Sequence, residues 1–342
     1  MPRLDDPILD TMDHATQEAW LIDAVRDQIQ FAREYAPFWS NRLRGVDESK
    51  WGSLSDFAAG VPILTKEEFR ALRPAELLSE TGRSELRIGR WTSGTTGRPT
   101  VNFWTGNDWN GLVVSVARAL ARQAPMSRPT AFIGYRQGHL TGPLYKSVLQ
   151  RLGATVYERS HHPEDFFSTL DQMELFDFDT LALPEHEKGG KGVGLIDLLD
   201  EDPDLLTRKK IRWWLGSSGS FSAESVARAK ENGVESVTNL FGSSDIGIFS
   251  ISCPAVAADF HVVQGSILVE IVDGSGAPVE NGQPGRVVVT HLRGASDDGT
   301  AETYRGTQIV RLATGDGATR VEDHCACGFT TPRLRDIHRL PA

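Results

Sequence analysis

The chain has 342 residues, enough for one large or two modest domains with a sizeable core. Hydrophobic residues make up 39% and charged residues 24%, an ordinary globular balance, and the formal net charge is −10 with pI ≈ 5.4. An acidic chain without a block of clustered Lys and Arg is not built to line a nucleic-acid groove, and no apolar stretch reaches the roughly 18 residues of a membrane span. Arg208, Lys209, Lys210 and Arg212 form a short basic run that reads as a solvated lead-in to a strand. Met1–His14 lacks the apolar core of a secretory signal. Three cysteines cannot pair evenly, and two of them are one residue apart, so a reducing cytoplasm and metal binding are expected rather than a disulfide.

In chain order, Gln17–Tyr35 spaces its apolar residues as an amphipathic helix, with Trp20, Leu21, Ala24, Val25, Ile29 and Ala32 on one side. A second helix is predicted over Trp109–Arg122. Five strands follow, over Ala131–Tyr135, Thr155–Glu158, Thr180–Leu183, Ile211–Leu215 and Ser236–Phe241. Helices over Leu144–Leu152, Pro163–Met173, Gly194–Leu199 and Ala223–Asn232 alternate with them, the signature of βαβ units on a mostly parallel sheet. Beyond Ile246 the period changes. Strands over Ile267–Val272, Gly285–Thr290 and Gln308–Leu312, with a Gly/Ser turn at 273–276, predict a smaller antiparallel, barrel-like subdomain. Gly294–Thr300 is small and acidic and reads as a loop. The expected division is an α/β body over 1–250 and an antiparallel subdomain over 251–335.

The strongest local signal is Trp91-Thr92-Ser93-Gly94-Thr95-Thr96-Gly97-Arg98-Pro99-Thr100. Two glycines allow a tight bend, and hydroxyls with backbone N–H groups can surround phosphate oxygens. The spacing is not that of a Walker A loop, and a plain Ser/Thr/Gly turn is the alternative reading.

Together with Thr105 and Asp108 downstream, this loop resembles the phosphate loop of adenylate-forming enzymes, in the version found in phenylacetate–CoA ligases. Three further segments resemble that family's motifs in the same order. They are the upstream Val61–Arg70 segment (P-x-x-T-K-x-x-[LF]-R), Asn239-Leu240-Phe241-Gly242-Ser243-Ser244-Asp245-Ile246-Gly247, and Ala313-Thr314-Gly315-Asp316. The match runs from about Arg42 to Arg335. It implies a large α/β domain of that fold and activation of an aryl or acyl carboxylic acid as its adenylate.

The resemblance also implies roles. Thr92, Ser93, Gly94, Thr95, Thr96 and Gly97 would hold the ATP phosphates, and Phe241, next to Gly242, would stack on adenine, where the alternative is a core Phe ending a strand. Ser244 would donate to a phosphate oxygen, and Asp245 would bind Mg²⁺ where the family usually has Glu. Thr92, Ser244 and Asp245 are thus the expected catalytic set. Asp316 would accept from both ribose hydroxyls, against the alternative of a turn Asp. Leu215–Ser220 resembles the turn that touches adenine and acyl group, but its Glu-Pro pair is replaced by Gly219-Ser220, so only Ser217, Ser218 and Gly219 carry over. His139 and Gly142, in the loop after the first βα strand, and Gly247 would line the acid pocket; a structural His139 is the alternative. His161 and His162 have no partner pattern and read as surface residues.

Cys253, His261, Cys325 and Cys327 match a C…H…C-x-C arrangement of some phenylacetate–CoA-ligase-like proteins, which implies a closed, tetrahedral, structural Zn²⁺. His324 is an alternative fourth ligand, and three inert buried cysteines are the alternative to a metal. Relatives continue through a Gly-Arg hinge into a further domain with the lysine that bridges acid and α-phosphate. Here Arg339-Leu340 stands where Gly-Arg is expected, so 336–342 reads as a remnant of that hinge. Lys66 and Lys146 are present, but nothing in the sequence places either one where that lysine acts. The expected partners are a small carboxylic acid and an acceptor, carrier protein or separate lysine-bearing domain. A non-catalytic binder of acid or nucleotide is the competing reading.

Overall fold

The structure is a computed structural model and describes residues 3–91, 100–135, 140–160, 168–187, 193–217, 219, 221–293 and 306–341. The N-terminal third is helical: α1 (His14–Tyr35), α2 (Pro37–Arg42), α3 (Leu54–Gly60), α4 (Lys66–Ala71) and α5 (Pro74–Leu77). Asp13 starts α1 by accepting the Thr16 N–H at 2.9 Å, so the helix begins three residues before its apolar spacing predicts. A two-stranded ribbon, β1 (Leu86–Trp91) and β2 (Val101–Thr105), flanks the 92–99 segment, and α6 (Gly106–Ala121) follows. Thr105 and Asp108 form the capping box that starts α6, and the Asp108 carboxylate also accepts from the Gly306 N–H at 3.0 Å.

Strands and helices then alternate as the sequence predicts: β3 (Thr130–Ile133), α7 (Thr141–Arg151), β4 (Thr155–Glu158), α8 (Thr169–Glu174), β5 (Thr180–Ala182), α9 (Leu195–Glu201), α10 (Leu205–Arg208), β6 (Trp213–Ser217), α11 (Ala223–Glu231) and β7 (Ser236–Ser243). The order β4-β3-β5-β6-β7 is parallel throughout. Both faces are buried, and alternate residues serve different layers. Ala131, Ile133, Trp213 and Leu215 pack beneath α6 and α7, while Phe132, Leu181 and Trp214 face α9, α10 and α11.

The remaining strands are β8 (Gly247–Ser252), β9 (Phe260–Val262), β10 (Ile267–Val272), β11 (Pro284–His291), β12 (Leu312–Val321) and β13 (Arg333–Arg339). They do not start a new sheet. β8 pairs antiparallel with β7, and the sheet continues β8-β9-β13-β12-β11-β10 as one eleven-stranded surface. The expected boundary between 250 and 251 falls inside β8. Helix α1 covers this antiparallel half, with Trp20, Leu21, Val25 and Ile29 in one core with Val287, Val289 and Leu312.

Two expectations need correction. Gln308–Leu312 is not a strand: Arg311 adopts φ 43, and β12 begins at Leu312 and runs through Gly315-Asp316-Gly317, which sequence chemistry reads as a turn. Arg311 is buried because its guanidinium bridges the Ala58, Val61 and Gly276 carbonyls and pairs with Glu270. Those contacts hold Arg311 in the left-handed region that a strand residue does not adopt, so the strand starts only after it. Of Pro163–Met173, the helix covers Thr169 onward; residues 161–167, with His161 and His162, lie outside the described residues, as does Gly294–Thr300. No helix among the described residues is long and apolar enough to cross a membrane.

Candidate active site

Ligands of parallel α/β sheets sit at the carboxyl ends of the strands, near the point where strand order reverses, which here lies between β3 and β5. Three strand ends meet that description. Tyr135 follows β3, Ser217 ends β6, and Phe241–Asp245 ends β7.

The end of β6 is held by two buried tyrosines that sequence reasoning did not single out. The Tyr135 hydroxyl accepts from the Ser217 N–H at 2.7 Å and donates to the Ser217 carbonyl at 3.0 Å. Tyr145, on α7, donates to the Gly216 carbonyl at 2.6 Å, and the two rings stack 5.3 Å apart. Burial pushes both phenols above their ordinary range, so both stay neutral donors. A Cβ at Gly216 would lie 1.9 Å from the Phe221 ring, so residue 216 must be glycine. Gly142 is buried in the first turn of α7, one turn from Tyr145.

The β7 turn carries Phe241, half-buried, its ring edge-on to Phe249 at 5.2 Å and Phe260 at 6.3 Å. It is therefore neither a fully buried core residue nor a free one. Gly242 and Gly247 allow the hairpin to close: a Cβ at Gly242 would meet the Gly247 carbonyl at 2.2 Å, and Gly247 itself has φ 110. Two residues upstream on the same strand face, the Asn239 amide donates to the Gly219 carbonyl at 2.6 Å, while its Oδ1 has no partner among the described residues. Asn239, Phe221, Ser252, Cys253, Phe260 and Ile337 line a groove of about 680 Å³. An asparagine inside a strand was the available signal for this residue.

Asp245 is nearly sealed, and its carboxylate and carbonyl oxygens are all engaged. One carboxylate oxygen takes the Lys66 ammonium, the other takes the Thr100 hydroxyl, and the Asp245 carbonyl takes the Asn102 amide. The Asp245 side chain is 4% exposed and that of Lys66 17%. Lys66 reaches this turn because Thr65 caps α4 and because Leu64 bridges to the start of β12, with Leu64 N–H on the Arg311 carbonyl and Ala313 N–H on the Leu64 carbonyl, each at 2.9 Å. The charge that a metal would neutralise at Asp245 is already neutralised by Lys66, so the residues as arranged do not fit a directly bound Mg²⁺. Lys146, the other lysine singled out, pairs with Glu158 at the surface.

Asp316 lies on β12 in a bulge. Ala313 pairs with Val288 and Gly317 with Arg286, so Thr314–Asp316 carry extra residues, and Gly315 takes φ 83. Its N–H donates to the Thr314 hydroxyl at 3.1 Å, and its carboxylate accepts from Arg339, itself half-exposed, at 2.9 Å. Of the other expected site residues, Ser217, Gly219, Ser244 and Gly247 are described. Thr92, Ser93, Gly94, Thr95, Thr96, Gly97, His139 and Ser218 lie outside the described residues.

Cys253, His261, Cys325 and Cys327 converge, with all four ligand atoms within 4.8 Å of one another. Sγ–Sγ separations are 3.4 Å for Cys253–Cys325 and 3.3 Å for Cys325–Cys327, and Cys327 Sγ lies 3.1 Å from His261 Nε2. His261 Nδ1 faces the Thr331 carbonyl at 3.0 Å, which turns Nε2 toward the thiols. Burial lowers the His261 pKa to about 4, keeping the imidazole in its ligating form, and pushes the Cys327 thiol up to about 12. This donor set fits a tetrahedral thiophilic ion. His324 is exposed and outside the group.

No family model matches the chain. It is 27% identical to a phenylacetate–coenzyme A ligase of Thermus thermophilus over 97% of this chain and 72% of that protein. It is 26% identical to the Escherichia coli phenylacetate–coenzyme A ligase over 85% of this chain and 66% of that protein. Among solved structures, it superposes on a 2-hydroxyisobutyryl-CoA ligase in complex with 2-HIB-AMP and CoA with TM-scores of 0.80 in an open conformation and 0.81 in the thioesterification state. Identities are 19% and 21%, with 98–99% of this chain and 72–78% of that one covered.

Proposed function

From the premise that the chain is a phenylacetate–CoA ligase-like member of the adenylate-forming superfamily, an acid–AMP-forming ligase, we propose that it activates an aryl or acyl carboxylic acid with ATP as the mixed acyl–AMP anhydride. The carboxylate attacks the α-phosphorus and pyrophosphate leaves. The observation that carries the reading is the meeting of the carboxyl ends of β6 and β7, where the Asn239 amide donates to the Gly219 carbonyl. In this reading Phe241 offers its accessible face to adenine. Asp316 offers a carboxylate oxygen to the ribose when Arg339 moves aside, and Thr92–Gly97 with Ser244 hold the phosphates. His139, Gly142 and Gly247 border the acid, whose pocket floor is the tyrosine-held 216–217 end of β6. The body over 1–250 supplies the adenine, phosphate and acid contacts, and 251–335 supplies Asp316 and a structural zinc that fastens the Cys253–Phe260 wall of the groove, with 336–342 leading toward a hinge.

The activated acyl group passes to a separate acceptor, CoA or a carrier protein, in a cytoplasmic biosynthetic step. Pyrophosphate release with ATP and a panel of aryl and short-chain acids tests the activation. Acid-dependent release with formation of the acyl-adenylate is the expected result. Binding of acid or nucleotide without any release across the panel, with or without a cell extract, would leave a non-catalytic binding protein. Zinc near one equivalent per chain in protein prepared without chelator is expected, and a zinc content near zero overturns that part.

A further inference from the structure

The cation that the described residues place on the Ser244–Asp245 turn is a side chain. Lys66 arrives from the N-terminal helical layer, 179 residues away in sequence, and its ammonium meets Asp245 where three elements converge. The turn is one; the start of β2, through Thr100 and Asn102, is the second; the Leu64–Lys66 segment stapled to β12 is the third. Thr100 directly follows the glycine-rich 92–99 segment in the chain, so this junction is also the exit of the expected phosphate loop.

The geometry over-determines Asp245. Thr100 donates to one carboxylate oxygen, Lys66 to the other and Asn102 to the backbone carbonyl, which fixes the residue and through its carboxylate the ammonium. Lys66 has three N–H donors and gives one to Asp245, and its ammonium also lies 5.6 Å from the centre of the Phe69 ring. Its side chain remains 17% exposed, so the remaining donors reach solvent or a ligand. A pair that is neutral overall costs little to keep partly buried, yet it presents a positive end to any polyanion arriving at the turn. A Lys ammonium acts on phosphate as a point charge and needs only a fixed position to do so.

We infer that Lys66 is the phosphate-binding cation of this site: positioned by Asp245, its ammonium donates to nucleotide phosphate oxygens at the place where a divalent ion held by residue 245 would otherwise stand. The inference rests on the reading that this site takes ATP. Asp245 is then a positioning residue, and metal that accompanies the nucleotide is not ligated by it.

The test is calorimetric titration of the full chain with ATP and separately with adenosine, in excess Mg²⁺ and in EDTA, for wild type, Lys66→Met, Lys66→Arg and Asp245→Asn, each first shown to melt cooperatively. The wild type is expected to bind ATP within about threefold in the two media. Lys66→Met should lose about 10- to 100-fold in ATP affinity, the scale of a hydrogen bond to a charged group, and leave adenosine unchanged. Lys66→Arg should restore most of the loss, and Asp245→Asn, which loosens the hold on Lys66, should weaken ATP binding equally in Mg²⁺ and in EDTA while leaving adenosine unchanged. The inference is overturned if Lys66→Met binds ATP like wild type, if it loses ATP and adenosine alike, or if Asp245→Asn abolishes only the Mg²⁺-supported binding. A wild type that releases pyrophosphate while Lys66→Met binds ATP normally would sink this inference and spare the proposed activity. A wild type that binds no ATP in either medium sinks both.

Discussion

In the parallel half of the sheet, Tyr135 and Tyr145 hold the Gly216–Ser217 end of β6 with neutral hydroxyls, and the strands around it are sealed by apolar layers on both faces. In the antiparallel half the same task falls to charges and thiols. Arg311 with Glu270 ties Ala58, Val61 and Gly276 together, Asp259 takes both Arg333 and Arg335, and the Cys/His group ties β8, β9 and the loop before β13. Parallel strands come with covering helices, so their ends need only a small neutral fastening. The antiparallel half, covered by α1 and its own apolar core, adds polar fasteners where its loops meet, and these respond to pH, metal and substitution.

The largest break in that contrast should come at the cysteines. Cys325→Ser removes a thiolate shared by two short Sγ–Sγ contacts and is expected to abolish zinc retention and cost on the order of 5 kcal/mol or more, since metal binding is folding free energy. Thermal melts with parallel zinc analysis check it. Equal melting of wild type and variant, both metal-free, would remove the cluster from the list of fasteners.

Arg311→Met comes next, at about 3–5 kcal/mol, because Glu270 is left as a buried carboxyl without its partner and three carbonyls lose their donor. Burial already raises the Glu270 pKa, so in the variant Glu270 takes up a proton, and the deficit should shrink as pH falls. Urea unfolding at pH 5 and pH 8 reads both features, and a deficit that grows at acid pH contradicts the assignment.

Acid itself should separate the halves. Burial lowers the His291 pKa from 6.5 to about 3, so the unfolded chain takes its proton first. Stability from His291 is complete above pH 6.5 and is lost as pH falls toward 3, amounting to about 2 kcal/mol at pH 5. His291→Gln should flatten this acid limb. Zinc content followed across the same pH range distinguishes His291 from loss of metal, and an unchanged limb in the variant refutes the attribution.

How much of this was legible beforehand follows the same division. Strand positions in the parallel half came from continuous apolar runs, and Thr155–Glu158 and Ile267–Val272 match to the residue because turn signals bound them tightly. That the three cysteines could share a metal was readable from residue type and spacing; His261 as their partner came from the family resemblance, with His324 left open until the structure brought His261 to them. The bulge at Thr314–Asp316 was not, because Gly-Asp-Gly inside a strand looks like a turn until β11 and β13 pair around it. Nor was the Lys66–Asp245 pair, which depends on Leu64 bridging to β12 across most of the chain. Local pattern shows elements; a contact between residues 66 and 245 is a property of topology.

The smallest expected effect tests the neutral side of the comparison. Tyr135→Phe keeps the ring stacked on Tyr145 and the buried volume intact, so it removes only a hydroxyl that both accepts from Ser217 N–H and donates to its carbonyl. A buried donor left unmet costs about 1–3 kcal/mol, and because both phenols are neutral the loss should be the same at pH 5 and pH 8. Tyr145→Phe should cost less, since the Gly216 carbonyl loses one donor and no N–H is orphaned. The two changes act on one strand end, so the double variant should differ from the sum of the singles. In the proposed activity the pair should raise KM for the acid more than it lowers kcat, because the strand end borders the pocket rather than the reacting atoms. A pH-dependent deficit for Tyr135→Phe, or an additive double variant, would show that charge reaches this strand end as well and that the two halves are fastened alike.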